Sequence, residues 1–163
     1  MNEKDQDMID AFMDSVKPLD KIMQQVSEEG LDWAEKPGEW SIREVLHHLA
    51  EDCNVYAFII EQALATPGCK VFFGEFPGNQ AWGKQLAWRE RPVNIALEMI
   101  HVHREFLADL VGHFPDRWEY KVNFYDHSGE KIGESTVAQM MTMLTEHMSE
   151  HVEMIHNIIA VNQ

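Results

Sequence analysis

Four long stretches of this chain carry apolar residues at the three- and four-residue steps of an amphipathic helix, and two of them open on a capping box. In Ser41-Ile42-Arg43-Glu44 and Thr136-Val137-Ala138-Gln139, a hydroxyl can accept from the third amide while the Glu or Gln side chain reaches back. After the first box, Ile42, Val45, Leu46, Leu49, Cys53, Tyr56, Ala57, Ile60 and Leu64 share a face until Pro67-Gly68. After the second, Val137, Met140, Met141, Leu144, Met148, Val152, Ile155 and Ile159 run nearly to the last residue. A further pattern spans about Asp5 to Ser27 through Met8, Phe12, Leu19, Ile22, Met23 and Val26, with a kink expected at Pro18 and an end at Gly30. The remaining one has Pro92 in its first turn and continues to about Gly112 through Val93, Ala96, Leu97, Ile100, Leu107, Leu110 and Val111. Four such helices of about 20 residues predict an all-α four-helix bundle.

Two stretches interrupt this periodicity. From Pro67 to Arg91, Gly68, Gly74, Gly78 and Gly83 alternate with Phe72, Phe73, Phe76, Trp82 and Trp88, which reads as a long aromatic loop. Such a loop either walls a pocket or folds its side chains back over the core. Between Trp118 and Ile132, alternating Tyr120, Val122 and Phe124 lead into Asp126-His127-Ser128-Gly129, a candidate short hairpin before the last helix.

At 163 residues the chain suits one domain over 1–163, large enough to bury a core without disulfide or metal staples. The formal net charge of −15 and the scattered basic residues argue against nucleic-acid binding and for a solvated surface. No apolar run approaches the roughly 20 residues of a membrane span. The opening Met1-Asn2-Glu3-Lys4-Asp5 is polar rather than basic then apolar, so no signal peptide is read and the expected location is cytoplasmic. Cys53 and Cys69 lack metal or redox spacing, have no evident base partner and are expected as reduced thiols.

Among nine histidines, His147 and His151 stand out. Their i, i+4 spacing stacks them on one helical face, inside the sector of Leu144, Met148 and Ile155. Two imidazoles turned toward an apolar core need partners. A divalent metal satisfies both through one nitrogen each; hydrogen bonds to neighbours or water are the alternative. The zincin signature is absent, because 147–151 reads His-Met-Ser-Glu-His. A third ligand would come from another helix, with His103, His47 and His48 as candidates.

The segment Glu39-Trp40-Ser41-Ile42-Arg43-Glu44-Val45-Leu46-His47-His48-Leu49-Ala50, with the distant His147-x-x-x-His151, resembles the DinB-like (YfiT-like) superfamily over nearly the whole chain. The resemblance implies a four-helix bundle with a three-histidine site for zinc, nickel or a similar divalent ion. The superfamily's His-Leu pair falls on His48, so the implied ligands are His48, His147 and His151. It also implies a metal-dependent enzyme acting on a small-molecule substrate, either a thiol-dependent transferase with a low-molecular-weight thiol as co-substrate or a hydrolase. Dimers are common in the superfamily, and a homodimer is expected. The aromatic loop from Val71 to Trp88 matches none of its motifs. The alternative function is a non-catalytic metal-binding or stress-related dimeric bundle.

Helical phase supports His48 independently of the resemblance. It lies in a row with Val55 and Ile59, whereas His47 falls among Arg43, Glu51, Asn54 and Glu61, which reads as a solvent flank. Asp52, one turn beyond His48, is read as a solvated acid or as a group that orients an imidazole or acts as a base.

Overall fold

A computed structural model describes residues 3–73 and 79–163. The helices are α1 (Glu3–Asp14), α2 (Lys17–Met23), α3 (Ile42–Ala65), α4 (Gln80–Gln85), α5 (Asn94–Gly112) and α6 (Val137–Asn162). The strands are β1 (Lys70–Phe72), β2 (Lys121–Tyr125) and β3 (Lys131–Thr136). Both capping boxes form: Glu44 N donates to Ser41 Oγ at 3.3 Å, Gln139 N donates to Thr136 Oγ1 at 3.1 Å, and each reciprocal bond is present. None of the helices among the described residues is long and apolar enough to cross a membrane.

Three expectations need correction. The expected N-terminal helix over 5–27 divides at Ser15-Val16, and Pro18 sits in the first turn of α2, where its missing N–H costs nothing. Ser15 Oγ turns back to donate to the Phe12 carbonyl at 2.8 Å. Second, the fold is not all-α, because a three-stranded sheet of order β1-β2-β3 is present. The hairpin β2–β3 is the antiparallel half expected before the last helix, with Gly129 at φ +85° in its turn. The parallel β1–β2 pair, matching Lys70 to Asn123 and Phe72 to Tyr125, was not expected. Third, the aromatic stretch is more ordered than a loop: it supplies β1, α4 and a 3-10 turn at Trp88–Glu90. Its Gly74, Phe76 and Gly78 lie outside the described residues.

The core falls into two apolar clusters. One gathers Ala57, Ile60 and Leu64 of α3 with Phe12, Leu107, Val111, Met140, Met141 and Leu144. The other gathers Ile42, Leu46 and Leu49 with Leu19, Ile100, Met148, Ile155 and Ile158. On each long helix a polar residue falls between the two sets: Asp52 on α3, Arg104 on α5, His147 on α6. Arg104 is 1% exposed, donates through Nη1 to Ser15 Oγ at 2.8 Å and through Nη2 to the Leu144 carbonyl at 3.2 Å, and lies 4.3 Å from the Phe12 ring centroid. That single guanidinium ties three helices at this level, and burial lowers its pKa.

Candidate metal centre

The α3 capping box fixes the start of the helix, and two turns later His48 points inward; from the other side, α6 supplies His147 and His151 one turn apart. His48 Nε2 lies 3.1 Å from His147 Nε2, and His151 Nε2 lies 2.9 Å from the same atom. The three imidazoles thus converge, each offering one ligand atom within 4.8 Å of the others. The ring planes stand nearly edge to face, with centroids 4.4–5.0 Å apart.

An imidazole nitrogen carries either one hydrogen or one in-plane lone pair. His147 Nε2 faces two other ring nitrogens, so as a donor it can serve only one of them, and as an acceptor it has one lone pair for two donors. Hydrogen bonding among the rings cannot satisfy all three together. A shared cation can, provided the rings are neutral. Burial lowers the pKa of His147, and burial followed by the neighbouring His147 charge lowers His151 to about 4. At neutral pH the His147 and His151 rings are therefore uncharged and can each offer a lone pair. Tetrahedral zinc with nitrogens at 2.0–2.1 Å would place those nitrogens about 3.3 Å apart. The observed contacts are only a few tenths of an ångström shorter, so the donor set fits a divalent ion.

Asp52 is buried rather than solvated, with its Oδ2 3.5 Å from His147 Nδ1 and 3.9 Å from His48 Nε2. Burial, and secondarily the Glu51 charge, raises its pKa to about 7. It stands behind His147, where an orienting carboxylate belongs.

His47 corrects the expected solvent flank. It is 2% exposed, and its Nε2 lies 3.2 Å from the Arg91 carbonyl, on the other side of α3 from the cluster. His103 is half-buried and stays outside the trio. Cys53 and Cys69 are free cysteines, and burial pushes the Cys53 thiol up to about 11, so it is no ready nucleophile.

Two tryptophans that were not expected as site residues flank the centre. Trp40 lies 4.7 Å from His48 and 6.2 Å from His151, ring centroid to centroid, and Trp88 lies 6.0 Å from His48. The sequence hints are that Trp40 stands in the segment resembling the superfamily, just before the capping box, and that Trp88 lies in the aromatic stretch read as a possible pocket wall. Trp88 is fully buried, and its indole N–H donates to Glu51 Oε1 at 2.8 Å, while Trp82 donates to the other Glu51 oxygen at 2.6 Å. Gly83 makes this closure feasible, because a Cβ there would lie 2.3 Å from Trp88 Cε3. Cavities of about 370 and 210 Å³ are both lined by Trp40 and Gln80, so the Trp40 ring borders open space as well as the histidines. A larger groove of about 730 Å³, between α2 and α6, is lined by none of the three.

The helical bundle and its triple-imidazole cluster define the class of protein. A sequence model of the DinB superfamily matches residues 14–155, and the chain belongs to that superfamily. Among solved structures it is similar to YfiT from Bacillus subtilis, described as a probable metal-dependent hydrolase with an unusual four-helix bundle topology. The superposition has a TM-score of 0.81 and covers 98% of this chain and 89% of that one at 16% identity, a likeness of fold. No curated protein matches the chain.

Proposed function

We propose that this chain binds one divalent ion, zinc or nickel, through Nε2 of His48, His147 and His151, and acts as a metal-dependent enzyme on a small molecule. The observation that carries this reading is the convergence of three imidazoles on one point, each offering a ligand nitrogen within 4.8 Å of the others. Three imidazoles leave a tetrahedral ion one open position. A bound ion would supply a Lewis acid able to bring the pKa of water to about 7 or to hold a thiolate. That chemistry serves hydrolysis or transfer of a low-molecular-weight thiol. The chain's own residues set the conditions: Asp52, 3.5 Å from His147 Nδ1, is placed to orient that ring and, with a pKa near 7, to exchange a proton. Trp40 and Trp88 pack against His48 and exclude water from its flank.

Elemental analysis of untagged protein purified without added metal should find about one divalent ion per chain. Absence of bound metal, together with no uptake of zinc or nickel at micromolar concentration, would refute the reading. The low exposure of the His48 side chain, 7%, favours a second reading, a non-catalytic metal-binding bundle. Cobalt(II)-loaded protein separates the two. A visible spectrum that shifts on adding a small thiol supports an open position, and an unchanged spectrum supports the non-catalytic bundle.

A further inference from the structure

Residues 79–91 bring Trp88 to the His48 side of the metal centre, and a single carboxylate holds them there. An indole N–H can only donate and an ionised carboxylate can only accept, so two tryptophans and one glutamate form a matched set. Trp88 Nε1 donates to Glu51 Oε1 at 2.8 Å and Trp82 Nε1 to Oε2 at 2.6 Å, with Arg91 Nη1 3.4 Å from Oε1. We infer that Glu51 is a positioning residue that clasps this segment as a gate: release of the indoles lets the segment swing outward and uncovers His48. What the gate guards rests on the metal reading above, whereas the clasp is a property of the apoprotein.

Several features make the segment a gate and not a fixed wall. Its own packing is thin. Six residues are too few for α4 to be stable alone, and Lys84, Gln85, Leu86, Arg89 and Glu90 are all exposed. Other than through Glu51, exposed side chains tie it down: Arg89 Nε lies 3.0 Å from Glu44 Oε1, and Gln80 Nε2 donates to the Gly38 carbonyl at 3.4 Å. Such contacts contribute little.

The backbone agrees. Ala87, at φ +53°, is the one non-glycine residue at positive φ among the described residues. The left-handed region crowds its Cβ, so the closed segment carries strain that opening relieves. The far end is pinned, because the Arg91 carbonyl lies 3.2 Å from His47 Nε2 and 3.4 Å from Arg43 Nη1. Movement is thereby confined to α4 and the turn bearing Trp88. Space is ready beside it: the cavity of about 370 Å³ is bounded by Gly83, Lys84, Ala87 and Trp88 on one side and by Trp40 and Glu44 on the other. Departure of the Trp88 ring, 6.0 Å from that of His48, would join this cavity to the centre.

Glu51→Gln keeps the side chain's size but leaves one indole facing an amide nitrogen that cannot accept. In full-length protein stripped of metal by a chelator, hydrogen exchange across residues 80–91 and at both indole N–H groups should quicken by about 10–100-fold, the worth of one hydrogen bond to a charged group. Exchange in the cores of α3 and α6 should stay at wild-type rates. Carbethoxylation of His48 by diethyl pyrocarbonate, followed by mass spectrometry, should quicken in step. Trp82→Phe removes one donor at a partly exposed position and should act in the same direction. Unchanged exchange in both variants overturns the inference, as does faster exchange spread evenly over the whole bundle, which would make Glu51 a general strut. Faster exchange of the segment with unchanged modification of His48 also overturns it, placing the route past the more exposed His147. Failure of the wild type to take up zinc would refute the metal reading alone, since neither measurement uses an ion.

Discussion

His47 and His48 are neighbours in the chain and are both buried, yet their surroundings differ in kind. His47 faces a backbone carbonyl, that of Arg91, to which one ring N–H can donate beside Arg43 Nη1. His48 faces another imidazole, which in turn faces a third. Burial lowers the pKa of His47 just as it does those of His147 and His151. Burial and a depressed pKa therefore do not distinguish a ligand from a packed histidine. What distinguishes them is whether several ring nitrogens converge on one point.

The largest expected effect tests that distinction directly. His48→Ala should abolish tight zinc or nickel binding, a loss beyond the 10–100-fold typical of groups that only orient a ligand, while His47→Ala should stay near wild type. Calorimetric titration of both variants, with circular dichroism to verify folding, reads the difference; equal affinities would erase it. His47→Ala should instead lower stability by about 1–3 kcal/mol, because a cavity opens and the Arg91 carbonyl keeps only its longer bond from Arg43 Nη1, and urea denaturation would show this.

Asp52→Asn sharpens the His48 side of the comparison. It keeps the shape and removes the carboxylate beside His147 Nδ1, so metal affinity should fall by about 10–100-fold without unfolding. Unchanged affinity would make Asp52 a bystander.

Acid stability gives the smallest effect. His47, His103, His147 and His151 have folded pKa values below the ordinary 6.5, so the unfolded apoprotein binds protons that the folded one refuses. Their contribution is complete above pH 6.5 and is lost as pH falls toward about 4, the folded value of His151. Asp52 opposes them. Its folded pKa of about 7 lies above the ordinary 3.8, so its burial costs least in acid and most above pH 7. Four groups against one predict a net loss of the order of 1 kcal/mol from pH 7 to 5, and a steeper loss in Asp52→Asn. A profile that rises toward acid would contradict these assignments.

The readability of the sequence follows the range of the interactions. Both capping boxes, the hairpin turn and the extents of α3, α5 and α6 are set by residues within a few positions of one another, and all are visible in the chain. The β1–β2 pair joins residues more than fifty positions apart, so no local pattern announces it. His47 was misjudged for a plain reason. A helical wheel assumes one solvent flank, but Arg91 and the segment bearing Trp82 and Trp88 cover α3 on the side that would otherwise be wet. The His147–His151 spacing was readable because it is a one-turn repeat. The partner on α3 was narrowed by the His-Leu resemblance and helical phase, and the convergence itself required the fold.

His48 and His147 are 99 residues apart in sequence. At a synthesis rate of about 5–20 residues per second, their appearance in a growing chain is separated by roughly 5–20 s. Throughout that interval α3 has been made while both of its cluster partners are still untranslated. Because α6 follows α3 at that distance, the full trio can assemble only after α6 has been made. An ion held by all three rings could therefore not be captured by α3 as it emerges, but only once α6 has folded against it.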